Sequence, residues 1–292
     1  MKRLSPTQVS LGYNFLALFD LYSYHIFNSS YGYDLKPKNN RYILKNLGID
    51  LLRPTTQPAF RDLLDNNPFL ANSFGDQLFT GFLMRDFDFI RTTKESVHGE
   101  TYYFQVSTEL SGWEILAANR LYNSLSGNNG IWRLGNDLEF SQYAKVELDA
   151  RYNKRYSNKL KLAARLNVGV ARPFGNSTAV PYVKQFFAGG PQSIRAWGAR
   201  GLGPGSYVDP LTTNPDNRLL FYQTGDFKFE ANAELRFFVS RIWAVQLEGA
   251  YFLDIGNVWT IRRDDNRPGS QLQWRPYLDV LRFAVSSLAK TL

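Results

Sequence analysis

Few side chains in this sequence are equipped for catalysis. It contains no cysteine, and its two histidines, His25 and His98, stand far apart. Thiolate zinc sites, iron–sulfur clusters, disulfide frameworks and cysteine nucleophiles are therefore excluded, and a histidine metal site or a Ser-His-Asp triad is disfavoured. Arginine and carboxylate are the chemistry-bearing types that remain. The most unusual setting for an arginine is the stretch Gln185-Phe-Phe-Ala-Gly-Gly-Pro-Gln-Ser-Ile-Arg-Ala-Trp-Gly-Ala-Arg-Gly-Leu-Gly-Pro-Gly205. A phosphate-cradling loop would need a helix N-terminus beyond the glycines and a Lys-Ser/Thr pair, and neither follows. A merely flexible loop would not carry Phe186, Phe187, Ile194 and Trp197, because large apolar groups are not left in water without purpose. A segment that folds back onto the protein and pins Arg195 there fits better.

The elements that must position this loop show in the alternation of side chains. The chain has 292 residues, with 34 Lys+Arg against 26 Asp+Glu for a net charge of +8, and 22 Phe, 17 Tyr and 6 Trp. That length is ample for a sizeable core. The basic residues are spread along the chain among acids, so a nucleic-acid partner is not expected. Mean hydropathy is −0.33 and no stretch approaches the ~18 apolar residues of a membrane helix. Met1-Lys2-Arg3 resembles the start of a signal peptide, but Ser5, Pro6, Thr7, Gln8, Ser10 and Asn14 interrupt any apolar run, and no small-residue cleavage site follows. The chain is then either cytoplasmic or lacks its true N-terminus.

Period-2 patterning dominates. Phe227, Phe229, Ala231, Ala233, Leu235 and Phe237 alternate with Lys228, Glu230, Asn232, Glu234 and Arg236. Leu160, Leu162, Ala164, Leu166, Val168 and Val170 share a face opposite Lys161, Arg165 and Asn167, and Lys145–Tyr152 and Trp243–Ile255 repeat the pattern. Weaker versions at Thr7–Phe19, Tyr24–Asp34, Arg41–Arg53, Gly75–Arg91 and Gly99–Leu110 bring the expectation to about nine strands. A soluble β-sandwich would also alternate, but its strands average only about 5–6 residues. Connections here sort by length: long at Pro54–Phe74, Ser111–Asn136, Pro173–Gly225 and after Gly256, short at Lys36–Asn40, Thr92–His98, Asn153–Asn158 and Ser240–Arg241. Short turns on one rim and long loops on the other are the habit of antiparallel transmembrane β-barrels of the outer-membrane type. Two long loops carry short helical patterns, Ala59–Leu64 and Trp113–Leu121, expected to be plain loop packing. Pro173–Gly225 is the loop expected to be functional, given its length.

Three ordered motifs, FFAGGPQSIRAW with GLGPG behind it, GDFKFEANAELRFF, and AYFLDIGNVW, make the chain resemble the BamA/TamA outer-membrane assembly factors, the bacterial surface antigen family. The resemblance implies that the long loop folds into the barrel lumen. Its tip, Ile194, Arg195, Ala196 and Trp197, would then meet acids on the next two strands, Glu234 and Asp254, as a latch. Gly189, Gly190, Pro191, Gly201, Gly203 and Gly205 would shape the loop. The alternation agrees, since Glu234 and Asp254 both fall on the polar parity of neighbouring strands, and one guanidinium fork can hold two carboxylates. The family usually has glycine where Ala196 stands, so strain is expected if that position needs positive φ.

The resemblance also implies a sixteen-stranded barrel preceded by a signal peptide and periplasmic transport-associated domains. The resemblance covers residues 1–275, which would supply about nine strands, the fifth to the thirteenth, and residues 1–292 would form one partial barrel domain. Pro276–Leu292 (PYLDVLRFAVSSLAKTL) lacks the look of the next strand, with Leu278, Leu281, Val285 and Leu288 spaced like a helix face. The chain thus reads as a fragment with an atypical tail, residues 276–292. No enzymatic activity, cofactor or metal is expected. The implied function is insertion or translocation of outer-membrane proteins in the bacterial outer membrane. Its partners would be lipid or lipopolysaccharide, unfolded outer-membrane protein substrates, and periplasmic or lipoprotein accessory subunits. The alternatives are a two-partner secretion translocator and, from another class, a passive porin or receptor barrel.

Overall fold

Alternation becomes strand along most of the chain, because each long strand can pair on both edges while its two faces meet different surroundings. A computed structural model describes residues 6–18, 22–65, 75–134, 138–207, 223–243, 245–262, 265, 267–272 and 282–291. The strands are β1 (Thr7–Leu18), β2 (Tyr22–Leu35), β3 (Asn40–Thr56), β4 (Gln77–Gly81), β5 (Asp86–Thr92), β6 (Glu100–Ser111), β7 (Glu139–Phe140), β8 (Tyr143–Ser157), β9 (Leu160–Pro173), β10 (Phe227–Ile242), β11 (Val245–Trp259) and β12 (Arg282–Thr291). They are hydrogen-bonded in the order β1-β2-β3-β5-β6-β8-β9-β10-β11-β12, with the short β4 and β7 off that path. Antiparallel registers run through β1–β2–β3 and through β9–β10–β11–β12. Among the described residues the ladder is open: β1 pairs only with β2, and β12 only with β11. No helix among them is long and apolar enough to cross a membrane.

The strand expected over Gly75–Arg91 is two strands. Beyond Gly81 the chain leaves β3, and Glu114 Oε1 accepts from the Phe82 and Leu83 amides, both at 3.0 Å. Pairing with β3 resumes where Arg85 N donates to Lys45 O at 2.8 Å. Satisfying those two amides elsewhere is what permits the break. The helical patterns become α1 (Pro58–Asp65) and α2 (Trp113–Ser126). α2 runs past Leu121 and stops at Gly127, which takes the left-handed φ of 68° that suits glycine at a helix end. The helical reading of the tail is corrected. Arg282–Thr291 pairs as β12 along β11, from Arg282 opposite Gly256 to Thr291 opposite Leu247. Helical spacing loses there to the free edge of β11, whose amides and carbonyls a strand can satisfy and a helix cannot. The rest of the tail lies outside the described residues.

The chain packs as two compact units. One comprises Met1–Phe89, Ser107–Val146 and Ala171–Gln185. Its buried apolar residues include Leu52, Leu78, Phe79, Tyr143, Val180 and Tyr182. On the other face of β1–β3, Val9, Leu11, Tyr13, Phe15, Phe27 and Ile49 stand exposed. A continuous exposed apolar face of this kind is a liability in water and the normal outer surface of a membrane barrel. The second unit comprises Ile90–Val106, Glu147–Val170 and Phe186–Leu292. Its core is made where the long loop lies on β10 and β11: Phe186, Ala188, Ile194, Leu202, Phe252, Val258 and Trp259 are buried.

Candidate functional site

The site in the second unit begins with the parity of two strands. Asn232 faces Asp254 across the β10–β11 ladder, with Glu234 two residues along β10 on the same face. Left alone, this row would be a concentration of negative charge in a half-buried place. The loop answers it. Gly189 and Gly190 take φ of 99° and 103°, open to glycine alone at little cost, and turn the chain back. Gly190 N then donates to Trp197 O at 2.8 Å, which closes residues 190–197 into a compact tip. Ile194 anchors that tip, with a side chain wholly buried, and any Cβ at Gly256 would crowd it.

Arg195 makes the polar contacts. Its Nε and Nη2 donate to Asp254 Oδ2 and Oδ1, both at 2.8 Å, a two-pronged match of fork to carboxylate. Nη1 donates to Glu234 Oε2 at 2.5 Å, and the backbone N–H adds a bond to Asp254 Oδ2 at 3.1 Å. The guanidinium carbon lies 3.7 Å from the centre of the Phe252 ring, so one face of the cation is covered by aromatic surface. Arg236 Nε approaches the other oxygen of Glu234 at 2.5 Å. Asp254 is completely buried, so this pairing removes what would otherwise be a costly isolated charge.

The structure therefore brings Ile194, Arg195, Glu234 and Asp254 into one cluster. Trp197 is half-buried and Ala196 is exposed. The strain anticipated at Ala196 is absent: among the described residues the non-glycine positions with positive φ are Lys38, Arg200 and Trp243. The turn's left-handed positions are taken by Gly189, Gly190 and Arg200 instead, so a methyl group at 196 is free of penalty. Gly203 and Gly205 also have positive φ, and a Cβ at either would collide with neighbouring segments, Asn257 and Val258 for the first and Gly269 for the second. Pro191 is exposed, and Gly201 N closes a turn onto Gly198 O at 2.9 Å.

Three further contacts of the tip were not singled out from sequence. Asn232 Nδ2 donates to both Ser193 O and Asp254 Oδ1 at 2.9 Å, tying strand, tip and acid together. The Ser193 hydroxyl is hydrogen-bonded to the wholly buried Glu230. Arg165 Nη1 donates to Gln192 O at 2.9 Å while the same guanidinium holds Asp149. Parity could have found Glu230 and Asn232, which share the polar face of β10 with Glu234. Phe186 is seated over Gly169 of β9, where any Cβ would run into its ring.

A second arginine, also missed, organises the other unit. Arg85 is 2% exposed and pairs with Glu109 at 2.8 Å, Asp50 at 3.1 Å and Asp86 at 3.3 Å. Tyr143 Oη donates to Glu109 Oε1 at 2.6 Å, and Lys184 Nζ reaches the same oxygen at 2.6 Å. Gly48 and Gly81 leave the room for the Arg85 side chain, against whose carbons a Cβ at either would press. Its sequence signal was the paired glycines flanking a β3–β4 contact, which only register reveals. Among the described residues no group of His, Cys, Asp and Glu could hold a metal ion.

Residues 93–275 match the family model described as the Omp85 superfamily domain. No curated protein matches the chain in sequence. Among solved structures, the chain is similar to BamA from Haemophilus ducreyi lacking POTRA domains 1-3, with a TM-score of 0.58, 17% identity, and coverage of 98% of this chain and 55% of that one. It also aligns with CdiB from Escherichia coli at a TM-score of 0.49 and 13% identity, over 92% of this chain and 39% of that one. The likeness to BamA is one of fold, that of a barrel of which this open sheet is a part, and the chain spans about half of that protein's length. The family model covers more than half of the sequence and includes the whole arginine-tipped loop and both acid-bearing strands: the chain belongs to the Omp85 superfamily.

Proposed function

We propose that the chain is the membrane-embedded part of an outer-membrane β-barrel insertase, acting on unfolded outer-membrane proteins in a bacterial outer membrane. The observation that carries this reading is the loop tip clamped by Arg195 onto Asp254 and Glu234. A barrel that must open without collapsing gains from the pinned loop a fixed brace on strands β10 and β11. No covalent chemistry is required of the chain. Edge pairing supplies the driving force for adding a strand to a sheet, because unpaired amides and carbonyls are templates for it. The residues of the clamp are positioning residues in this scheme.

The test is Arg195→Ala in the full-length protein, with substrate assembly and barrel melting measured side by side. Loss of both is the expected result. Wild-type melting together with wild-type assembly would remove the brace from the mechanism. Partial recovery in Arg195→Glu combined with Asp254→Arg would tie the effect to this ion pair.

A further inference from the structure

The register of β1–β3 sorts the exposed face of the first unit into rows. Leu11, Ser29 and Ile49 form one row, and Tyr13, Phe27 and Leu51 the next. After these comes Phe15 opposite His25 opposite Arg53, followed by Ala17, Ser23 and Thr55. Along one face the side chains thus pass from aliphatic to aromatic to cationic to small and polar. That is the profile of a surface leaving hydrocarbon and entering a headgroup layer, where a cation's cost of several kcal/mol at the bilayer centre has fallen to about zero. The row lies at the rim where β3 ends and α1 begins.

We propose that Tyr13, Phe15, His25 and Arg53 form a docking site for the phosphate of a membrane lipid headgroup. The proposal rests on the chain being a membrane barrel, and not on its inserting substrates. Arg53 is exposed and has neither an ion pair nor a hydrogen bond among the described residues. At the opposite rim of the same strands, Lys36 and Arg41 are both neutralised by Asp34, at 3.0 and 2.9 Å. Lys38, in the turn at that rim, has no ion pair among the described residues, so what sets the Arg53 rim apart is the imidazole in register beside its cation. His25 Nδ1 is hydrogen-bonded to Tyr13 Oη at 2.7 Å, and the ring lies 4.9 Å from Phe15 and 5.9 Å from Tyr13. This fixes the imidazole and leaves Nε2 as the ring nitrogen without a partner among the described residues. A guanidinium and an imidazole nitrogen side by side can both donate to one phosphate. The aromatic rings beneath sit where acyl chains begin, so the apolar band and the anion site are one continuous surface. This continuity favours a lipid over a soluble acidic protein.

The experiment places the full chain in phosphatidylcholine nanodiscs, one chain per disc, doped with lipid A or its phosphate-free derivative. Lipid retained after mild detergent extraction is counted by native mass spectrometry. Retention of the phosphorylated lipid should exceed that of the phosphate-free one by about tenfold, the scale of one charge-assisted hydrogen bond. Arg53→Gln and His25→Gln should each reduce the preference, and together abolish it. Lys38→Gln, in the turn at the other rim, should leave it intact. Millimolar inorganic phosphate should not displace a ligand also held by its chains. Equal retention of the two lipids by the wild-type chain overturns the proposal without any variant. So does a preference that survives the double substitution, displacement by inorganic phosphate, or displacement by polyglutamate, which would assign the row to an acidic protein. Strand content of each variant in the disc, read by far-ultraviolet circular dichroism, reports folding independently, and no insertion activity is read, so the insertase reading stands or falls apart from this result.

Discussion

Arg195 and Arg85 solve the same problem, a group of carboxylates on the polar face of a sheet, in different degrees of burial. Arg195 is 24% exposed on its side chain, and its partner Asp254 is fully buried. Truncation to alanine should cost about 2–3 kcal/mol, below the ~3–5 of a fully buried pair because water can reach the remaining acids. Arg195→Lys should recover less than half of that, since an ammonium cannot hold Asp254 with two prongs and Glu234 with a third nitrogen. Thermal melting of the three proteins in one lipid checks both statements. Arg85 is the harsher case, at 2% exposed with three acids around it. Arg85→Met keeps volume and removes charge, and about 3–5 kcal/mol of stability should go with it. If Arg85→Met melts within a degree or two of wild type, the acids have found other partners and Arg85 is not the hub. The two arginines differ in legibility. Arg195 stands inside a motif that can be read in a line, while the acids around Arg85 come from three strands, and Asp50 and Glu109 become its neighbours only through register.

At the scale of elements, strands were the easiest to foresee and their interruptions the hardest. Two-residue alternation over a dozen positions leaves little choice, which is why β9, β10 and β11 fall where the sequence places them. The β4–β5 break depended on Glu114 arriving from α2 to satisfy two amides, a contact across more than thirty residues. β12 depended on a neighbour's free edge rather than on its own pattern. The lead-in to β10 carries a titratable device. Asp226, just ahead of Phe227, is wholly buried, and burial lifts its carboxyl from 3.8 to about 6 against the opposing pull of Arg262 and Arg267. A raised folded-state value means the native state binds this proton more tightly than the unfolded chain. The stabilisation is therefore complete below about pH 3.8, and it is lost as pH rises through about 6. Asp226→Asn should flatten that dependence, holding the start of β10 at neutral pH as firmly as wild type does in acid. Amide exchange of residues 225–230 at pH 5 and pH 7.5 reads the difference, and identical profiles for the two proteins would refute it.

For the whole molecule the decisive fact is that the ladder is open. β1 and β12 each have one neighbour among the described residues, and the outward rows of β1–β3 from Val9 to Phe27 are dominated by exposed apolar side chains. Unpaired strand edges next to exposed Leu11, Tyr13 and Phe15 are a template for further pairing. This 292-residue chain, refolded in detergent where copies can meet, should self-associate through those edges and show no substrate insertion. A monodisperse monomer with heat-modifiable mobility would contradict that outcome.

The sequence by itself determined the fold class and the identity of the clamp. Period-2 alternation can be satisfied only by strands, sorted loop lengths point to a barrel, and the arginine tip and its two acids lie within recognisable motifs. Tertiary structure alone decided how the clamp is shared, with two prongs on Asp254 and one on Glu234, and that Ala196 escapes strain because Gly189, Gly190 and Arg200 absorb the left-handed turns. It alone decided the Arg85 hub and the Phe15–His25–Arg53 row. The physical reason is common to all of these. Alternation fixes which face a side chain occupies, but the register between strands fixes which charges become neighbours, and register is set by hydrogen bonds and bulges that no single segment contains.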